Sequence, residues 1–545
     1  MKLLNKITSL FLAIVLCFSA AAMTACELFE DYVEDEEQGG DDQLLEVFRD
    51  PVDDNYRTFY QIFVGSFSDG NNDGIGDLMG VIKRMDYLND GDINNGDDLG
   101  VQGIWLSPIF SSPTYHKYDA KDYYQVDWRF GDMTVLKQLI DLCHERNVKI
   151  ILDLAINHTS NQHPWFLEFN EARMKGDTSN KYYDYYTCVT TSQKKGGVTY
   201  QQVPTTNFWY ECNFSGSMPE LNFDNPEVVK EMLDVAKFYL DMGIDGFRFD
   251  AVKYIYYGDT TRSVAFWESY MRELRAYKPD IYTIGECWSG ETEIIKYLGA
   301  TSCFNFAMAG AEGVAAVAAK GTNIGNFINY IESYQDKVQA KNPNAMPIQF
   351  LSNHDQDRIA GAFVTDGNMK MAASLYLLSP GSPVIYYGEE IGLRGSRGGE
   401  MTDANRRLAM RWGDFDLVKN PTGSTYPDSK QTSSNVSLQL ADDNSILSHY
   451  QQLLSIRQRY PAVARGDYNA VSSANKNFGG FYVEYKGEVI GIFHNTSSGE
   501  LKIDLSKCSG IDGHSFTQLC EVVGKGATLE GNILTIKGQT SVILK

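Results

Sequence analysis

Past residue 57 the chain alternates short β-branched and aromatic runs with stretches whose apolar positions recur every three to four residues. This alternation predicts βαβ units built on a parallel sheet. Eight runs qualify as strands: Thr58–Phe67, Gly103–Pro108, Lys149–Ala155, Gly246–Asp250, Ile281–Glu286, Cys303–Met308, Pro347–Asn353 and Pro383–Glu389. Eight parallel strands suit a closed (β/α)8 barrel. Among the intervening helices, residues 226–243 show the pattern well, with Val229, Met232, Leu233, Ala236, Tyr239 and Leu240 at helical spacing. Asn225 is the expected N-cap, Pro226 takes the first helical position and Gly243 follows the end.

One connection breaks the rhythm. Between the third strand and the helix at 226 lie about seventy residues rich in Tyr, Thr, Asn and Gly, with no long helical pattern. A compact domain rarely carries so long a plain loop, so 159–215 is expected to be a subdomain inserted at the C-terminal end of that strand, the face on which such barrels hold their active sites. After a helix at 445–460 come Phe481–Tyr485, Val489–His494, Leu501–Leu505, Ile533–Ile536 and Val542–Leu544, evenly spaced with Gly and Asn between them. That texture predicts an antiparallel β-sandwich. The expected division is a barrel in two parts, 53–158 and 216–465, with the insertion at 159–215 and a C-terminal β domain at 466–545.

Composition narrows the class. The 545 residues are 43% hydrophobic and 22% charged, as in a globular protein rather than a disordered or multi-spanning one. The formal net charge is −23 and no Lys/Arg-rich run is present, which argues against nucleic acid as a partner. Ten acids and no base stand in 27–46, so mutual repulsion should keep 26–52 extended as a tether. Before it, Lys2 and Lys6 precede the apolar stretch Leu10–Ala22, the pattern of a signal peptide over 1–25 and too short to span a bilayer. Met23-Thr24-Ala25-Cys26 resembles a bacterial lipobox, although Met23 stands where such motifs usually carry Leu. The expectation is an extracellular protein, monomeric and held at the bacterial cell surface only by a lipid on Cys26. An ordinary signal peptide cut near Ala22 is the alternative. Of the other cysteines, Cys188 with Cys212 or Cys508 with Cys520 are candidate pairs, and no Cys/His spacing suggests zinc.

The strongest chemical signal is Gly246-Phe247-Arg248-Phe249-Asp250. Side chains alternate along a strand, so Arg248 and Asp250 share the face toward the barrel while Phe247 and Phe249 pack outward against helices. A cation–carboxylate pair at that depth is expensive unless it serves a purpose. Asp153, Glu286 and Asp355 also follow hydrophobic runs. In a closed barrel these ends converge, and paired acids are what glycosidic bond cleavage requires. A second motif, Asp69-Gly70-Asn71-Asn72-Asp73-Gly74-Ile75-Gly76-Asp77, places oxygen side chains at alternate positions with a glycine at the sixth and the Ile75 carbonyl next. It reads as the first part of a Ca2+ loop formed by Asp69, Asn71, Asp73, Ile75 and Asp77, or as a hydrogen-bonded Asx turn. Trp165, Trp209, Trp288, Tyr182, Tyr183, Tyr185 and Tyr186 are candidate stacking platforms.

The motifs DLAINH (153–158), GFRFDAVKY (246–254), GECW (285–288) and FLSNHD (350–355) resemble the four ordered signature regions of glycoside hydrolase family 13, the α-amylase family. GIWLSPIF, MPELNFDNP and PVIYYGEE resemble its supporting regions. The resemblance runs from about residue 57 to the end, and the order of the motifs makes it specific. It implies Asp250 as nucleophile, Glu286 as general acid/base and Asp355 as a clamp on sugar hydroxyls. It further implies sugar contacts for Tyr118, Asp119, His158, Arg248, Lys253, Tyr254 and His354. A calcium loop after the first strand occurs in part of the family. Arg248 adjoins Asp250 and favours its ionised form, whereas Glu286 has no cation next to it in sequence and should keep its proton more easily. The implied activity is endo-hydrolysis of α-1,4-glucosidic bonds in starch and maltooligosaccharides. A neopullulanase-like or oligosaccharide α-glucosidase and a catalytically dead starch-binding protein are the alternatives. The family usually has Gly where this chain has Lys117, and many α-amylases have His at the position of Tyr254.

Overall fold

The computed structural model describes residues 52–92, 96–398, 402–511 and 513–545; the signal segment, Cys26 and the tether through residue 51 lie outside them. Seven strands form one parallel sheet: β1 (Phe59–Ile62), β2 (Gly103–Leu106), β3 (Lys149–Leu154), β4 (Gly246–Phe249), β5 (Tyr282–Gly285), β6 (Ser302–Cys303) and β7 (Val384–Tyr386). Their order is β6-β5-β4-β3-β2-β1-β7. The eighth run, predicted at Pro347–Asn353, makes only an isolated parallel bridge between Ile348 and Phe304. Its backbone still bonds to both neighbours. Asn305 N donates to Ile348 O at 2.9 Å and Val384 N donates to Gln349 O at 2.8 Å, which closes the sheet into the (β/α)8 barrel. The strands are shorter than the apolar runs because their C-terminal ends leave the ladder to form the loops above it.

The barrel interior is filled by Phe59, Trp105, Ile151, Tyr282, Ile284, Phe304, Ile348 and Phe350. Each such side chain contributes about 1.5–3 kcal/mol on leaving water. Gly246 is required where β4 meets β5, because a Cβ there would lie 1.7 Å from Tyr282 O. Phe247 and Phe249 face outward as expected, and Phe249 meets Trp267 of the helix Thr260–Tyr277 at 5.0 Å. The helix Pro226–Met242 also matches its punctuation: Asn225 Oδ1 accepts from Glu227 N at 3.0 Å, and Gly243 takes φ +113°.

The insertion at 159–215 carries its own secondary structure, including a helix that the sequence pattern did not predict. It contains the helix Pro164–Lys175 and a three-stranded antiparallel sheet in the order Cys188–Thr190, Phe208–Glu211, Tyr200–Gln202. The helix was hidden because its apolar stripe is blurred: Leu167 and Met174 face solvent while Arg173 turns inward, its guanidinium 3.9 Å from the Tyr183 ring. Phe166 packs edge-on against Tyr186 and Tyr210 to build the subdomain's own aromatic core.

Beyond residue 466 lie antiparallel sheets of five and three strands. Phe478, Phe493 and Val542 from the first share an apolar cluster with Leu534 and Ile536 from the second. All seven described cysteines are free thiols, so neither candidate pair forms. Cys188 is registered opposite Tyr210, two positions short of Cys212, and Cys212 Sγ is turned toward Thr199 O at 3.8 Å. Among the described residues no helix is long and apolar enough to cross a membrane.

Candidate active site

Asp250, Glu286 and Asp355 come from the C-terminal ends of β4, β5 and the closing segment and meet in one cleft of about 840 Å³. Immediately after Asp250 the chain turns sharply. Ala251 takes the left-handed φ of +51°, a conformation costing a non-glycine residue about 1–3 kcal/mol. The turn aims the Ala251 N–H at Glu286 Oε2, 3.2 Å away.

Arg248 organises the floor and is fully buried. Its Nη1 lies 2.7 Å from both Asp153 Oδ1 and Asp250 Oδ1, and its Nη2 is ion-paired with Glu286 Oε1 at 3.1 Å. Glu286 has no cation beside it in sequence, but strand pairing of β4 with β5 brings to it the same guanidinium that serves Asp250. Its surroundings nevertheless favour the protonated form of Glu286. Burial pushes its carboxyl up to about 8 against the pull of Arg248, and repulsion from Asp250 and Asp355 adds to the rise. Asp153 is raised to about 6, again by burial first, with Arg248 opposing.

Asp355 is treated oppositely. Burial alone would raise it, but His354 and Arg407 outweigh burial and hold its carboxyl well below the usual range. Arg407 Nη2 lies 2.7 Å from Oδ1 and His354 Nε2 lies 3.0 Å from Oδ2. Gln61 Nε2 lies 2.7 Å from His354 Nδ1 and braces the imidazole from the far side. The Tyr118 ring stacks on that of His354 at 5.4 Å and 7°, and its hydroxyl donates to Asp153 Oδ2 at 2.8 Å. One network thus joins Tyr118, His354, Asp153, Arg248 and the three cleft acids.

Of the remaining candidates, His158, Lys253 and Tyr254 line the cleft. His158 belongs to the cleft wall, with its Nε2 buried. Lys253 Nζ donates to Trp288 O at 2.7 Å, and Tyr254 stacks on Tyr257 at 5.0 Å. Asp119 is not brought to the cleft wall: its carboxylate accepts from Ser112 Oγ at 2.7 Å and from Thr114 Oγ1 beneath the loop. Among the aromatic platforms, Trp288 lines the cleft and is 47% exposed. Tyr185 and Tyr186 are core residues of the insertion, Trp165 packs against Tyr185, and the Trp209 ring is covered by Lys194 Nζ at 3.7 Å.

The lining also holds residues the sequence did not single out, among them Arg407, His116 and Phe214. Arg407 sits in irregular chain fifty-two positions beyond Asp355, and its one trace in sequence is an Arg406-Arg407 pair in an acidic protein. His116 is kept neutral, its pKa pushed down to about 4 by burial and then by Arg407.

In the 69–77 loop, Asp69 Oδ1 accepts from Asn71 N (3.1 Å) and Asn72 N (2.6 Å), and Asp73 Oδ1 accepts from Ile75 N at 2.8 Å. Asp77 caps the following helix through Gly80 N at 2.7 Å. Among the described residues no three acidic, His or Cys side chains are gathered into a metal cage. The donors are nonetheless all oxygens on one tight turn, a set that suits a hard cation such as Ca2+.

Residues 61–466 match the family model for the α-amylase catalytic domain. The chain is 35% identical over 441 residues to α-amylase 3 of Dictyoglomus thermophilum, covering 80% of this chain and 84% of that protein. It is 30% identical over 458 residues to a 4-α-glucanotransferase of Thermotoga neapolitana, covering 81% and 96%. The solved structure of Eubacterium rectale Amy13B superposes with a TM-score of 0.83 at 33% identity, over 91% of this chain and 97% of that one.

Proposed function

The chain belongs to the α-amylase family, and from that membership we propose that it is a retaining, endo-acting α-amylase of starch and maltooligosaccharides. One observation carries this reading: Asp250 and Glu286 sit on neighbouring nitrogens of the Arg248 guanidinium, in surroundings whose burial favours the protonated form of Glu286. Two carboxyls held that way suit the spacing of about 5–5.5 Å of a retaining pair, rather than the wider gap that admits a water between them.

In the first step Asp250 attacks the anomeric carbon, the glycosidic C–O bond breaks, and Glu286 gives its proton to the departing oxygen. The product half leaves with a new hydroxyl, and the other half is esterified to Asp250. In the second step Glu286, now ionised, takes a proton from water. The resulting hydroxide displaces Asp250 and restores the α configuration. Asp355, held ionised by His354 and Arg407, binds sugar hydroxyls and steadies the positive charge on the ring, Tyr118 supplies the ring platform, and His158 in the cleft wall serves the sugar hydroxyls.

We further assign Ca2+ to Asp69, Asn71, Asp73, Ile75 O and Asp77, where it would tie the turn after β1 and take no part in bond cleavage. The lipobox-like segment supports export and attachment to the cell surface through Cys26.

Reducing ends released from soluble starch, and from maltooligosaccharides blocked at the non-reducing end, test the activity. Internal cuts with α-configured products are expected. Glucose release only from free chain ends would replace this reading with an α-glucosidase, rapid cleavage of pullulan with a neopullulanase, and binding without any cleavage with a starch-binding protein.

A further inference from the structure

Lys117 occupies a left-handed backbone position, φ +67°, of the kind that favours glycine. Its side chain does not reach solvent. It is 2% exposed, runs over the Phe130 ring at 5.3 Å, and its ammonium donates to Thr114 O at 2.8 Å. The same ammonium pairs with Asp127 Oδ2 at 2.9 Å. Asp127 is equally buried and is also gripped by Arg129, through Nε at 2.8 Å and Nη2 at 2.9 Å, while accepting from Ser112 N at 3.2 Å. A buried ammonium on a left-handed backbone is costly twice, once in desolvation and once in conformation. Neither cost is needed merely to satisfy Asp127, which has Arg129.

What the ammonium ties down is the loop 112–119. From this loop two side chains reach the catalytic network by separate routes. Tyr115 Oη accepts from Arg407 Nη1 at 2.9 Å, and Arg407 Nη2 holds Asp355 Oδ1 at 2.7 Å. Tyr118 Oη lies 2.5 Å from His354 Nε2, which in turn lies 3.0 Å from Asp355 Oδ2. The two arms end on the two oxygens of one carboxylate.

We propose that Lys117 is a positioning residue: anchored on Asp127 and Thr114 O, it fixes the loop from behind, and the loop fixes Asp355 through both the Tyr115–Arg407 and the Tyr118–His354 arms. This rests on the reading of Asp355 as the residue that steadies the transition state. A misplaced clamp weakens the transition state more than substrate binding, so the defect belongs in kcat rather than KM.

The test compares the full chain with Lys117→Gly, which suits the left-handed backbone and leaves Asp127 on Arg129, and with Lys117→Met, which keeps the stem over Phe130 and removes the charge. Competent sites are counted by the burst from a fluorinated maltosyl fluoride that traps the covalent intermediate. Per competent site, both variants are expected to lose roughly tenfold or more in kcat on maltooligosaccharides with KM changed less than about twofold. Hydrogen exchange over 112–119 should become faster in both. Wild-type kcat per site in Lys117→Gly, or a loss of kcat with exchange unchanged, overturns the proposal. If the unaltered protein cleaves no α-glucan, the functional reading fails, and unchanged exchange in the variants would still reject the anchor by itself.

Discussion

Arg248 and Glu286 are ion-paired at 3.1 Å, on the guanidinium nitrogen next to the one that holds Asp250 at 2.7 Å. A single buried cation therefore serves both carboxyls proposed to react, and their proposed division of labour cannot come from one having a cation and the other not. It comes from burial and from charge order. Asp250 and Asp355 repel a negative charge on Glu286, and desolvation completes the rise to about 8.

The pH dependence of the proposed chemistry follows. Glu286 must be protonated for the first step, so kcat/KM should fall as pH rises through about 8. Glu286→Gln should lower starch hydrolysis by roughly 10²–10⁴-fold and erase that alkaline limb. Substrates whose leaving group needs no proton should lose far less in the bond-breaking step. Rate–pH profiles on starch and on an aryl maltoside with an acidic phenol check this, and an alkaline limb persisting in Glu286→Gln would reassign it.

Arg407 contacts both Asp355 and the backbone of His354, with Nε donating to His354 O at 3.0 Å. Replacing it by Met removes one of the charges that, after His354, hold the Asp355 carboxyl down, and its pKa should rise. We expect kcat/KM to fall about a hundredfold with the circular dichroism spectrum retained, because losing a charge-assisted contact costs roughly 2–3 kcal/mol. Arg407→Lys should recover part of the loss. Steady-state kinetics of both variants, beside Asp355→Asn as a reference, decide the matter.

Much of the site was legible because barrel strands obey a period of two. Gly246, Arg248 and Asp250 had to share a face, and ordered apolar runs had to bring Asp153, Glu286 and Asp355 to one end of a barrel. What escaped is what no local period carries. Arg407 reaches Asp355 from an irregular segment, the cation beside Glu286 arrives through strand pairing, and Asp119 belongs under its loop because Ser112 and Thr114 take both the space and the charge. The helix Pro164–Lys175 was obscured by an arginine in its inward stripe, buried there because aromatic rings, the Tyr183 carbonyl and Asp184 receive it. The cysteine pairs show the converse error, since sequence proximity said nothing of strand register.

Glu389 and Glu390 are buried side by side just past β7. Glu389 Oε1 accepts from Tyr376 Oη at 2.8 Å and Tyr450 Oη at 2.9 Å, and burial pushes its carboxyl from 4.5 up to about 8. A carboxyl raised on folding binds its proton more tightly in the native chain than in the unfolded one. Stability should therefore fall as pH rises from about 4.5 to about 8, and level off above that. Glu389→Gln removes the titration while keeping a carbonyl for the two tyrosines. Urea unfolding at pH 5 and pH 8 should show a smaller drop in the variant, the difference being on the order of a few kcal/mol. Equal pH slopes for the two proteins would place the alkaline sensitivity elsewhere.

The loop at 69–77 is the place where thermal stability should depend on a bound ion. Its carboxylates already accept backbone N–H groups, so the turn has a hydrogen-bonded alternative, and a cation would add only its binding free energy to the native state. By mass action that addition is about 2.7 kcal/mol at a free ion concentration one hundred times Kd. Chelation should lower the unfolding temperature, Ca2+ should restore it, and Mg2+ should not, because Mg2+ demands a tighter octahedron and sheds water reluctantly. Asp73→Ala should abolish the response without touching the cleft: among the described residues the Asp73 side chain accepts only from Ile75 N and has no contact with the cleft acids. An unfolding temperature indifferent to chelator in the unaltered protein would leave the Asx turns of Asp69, Asn71 and Asp73 as the whole explanation of the motif.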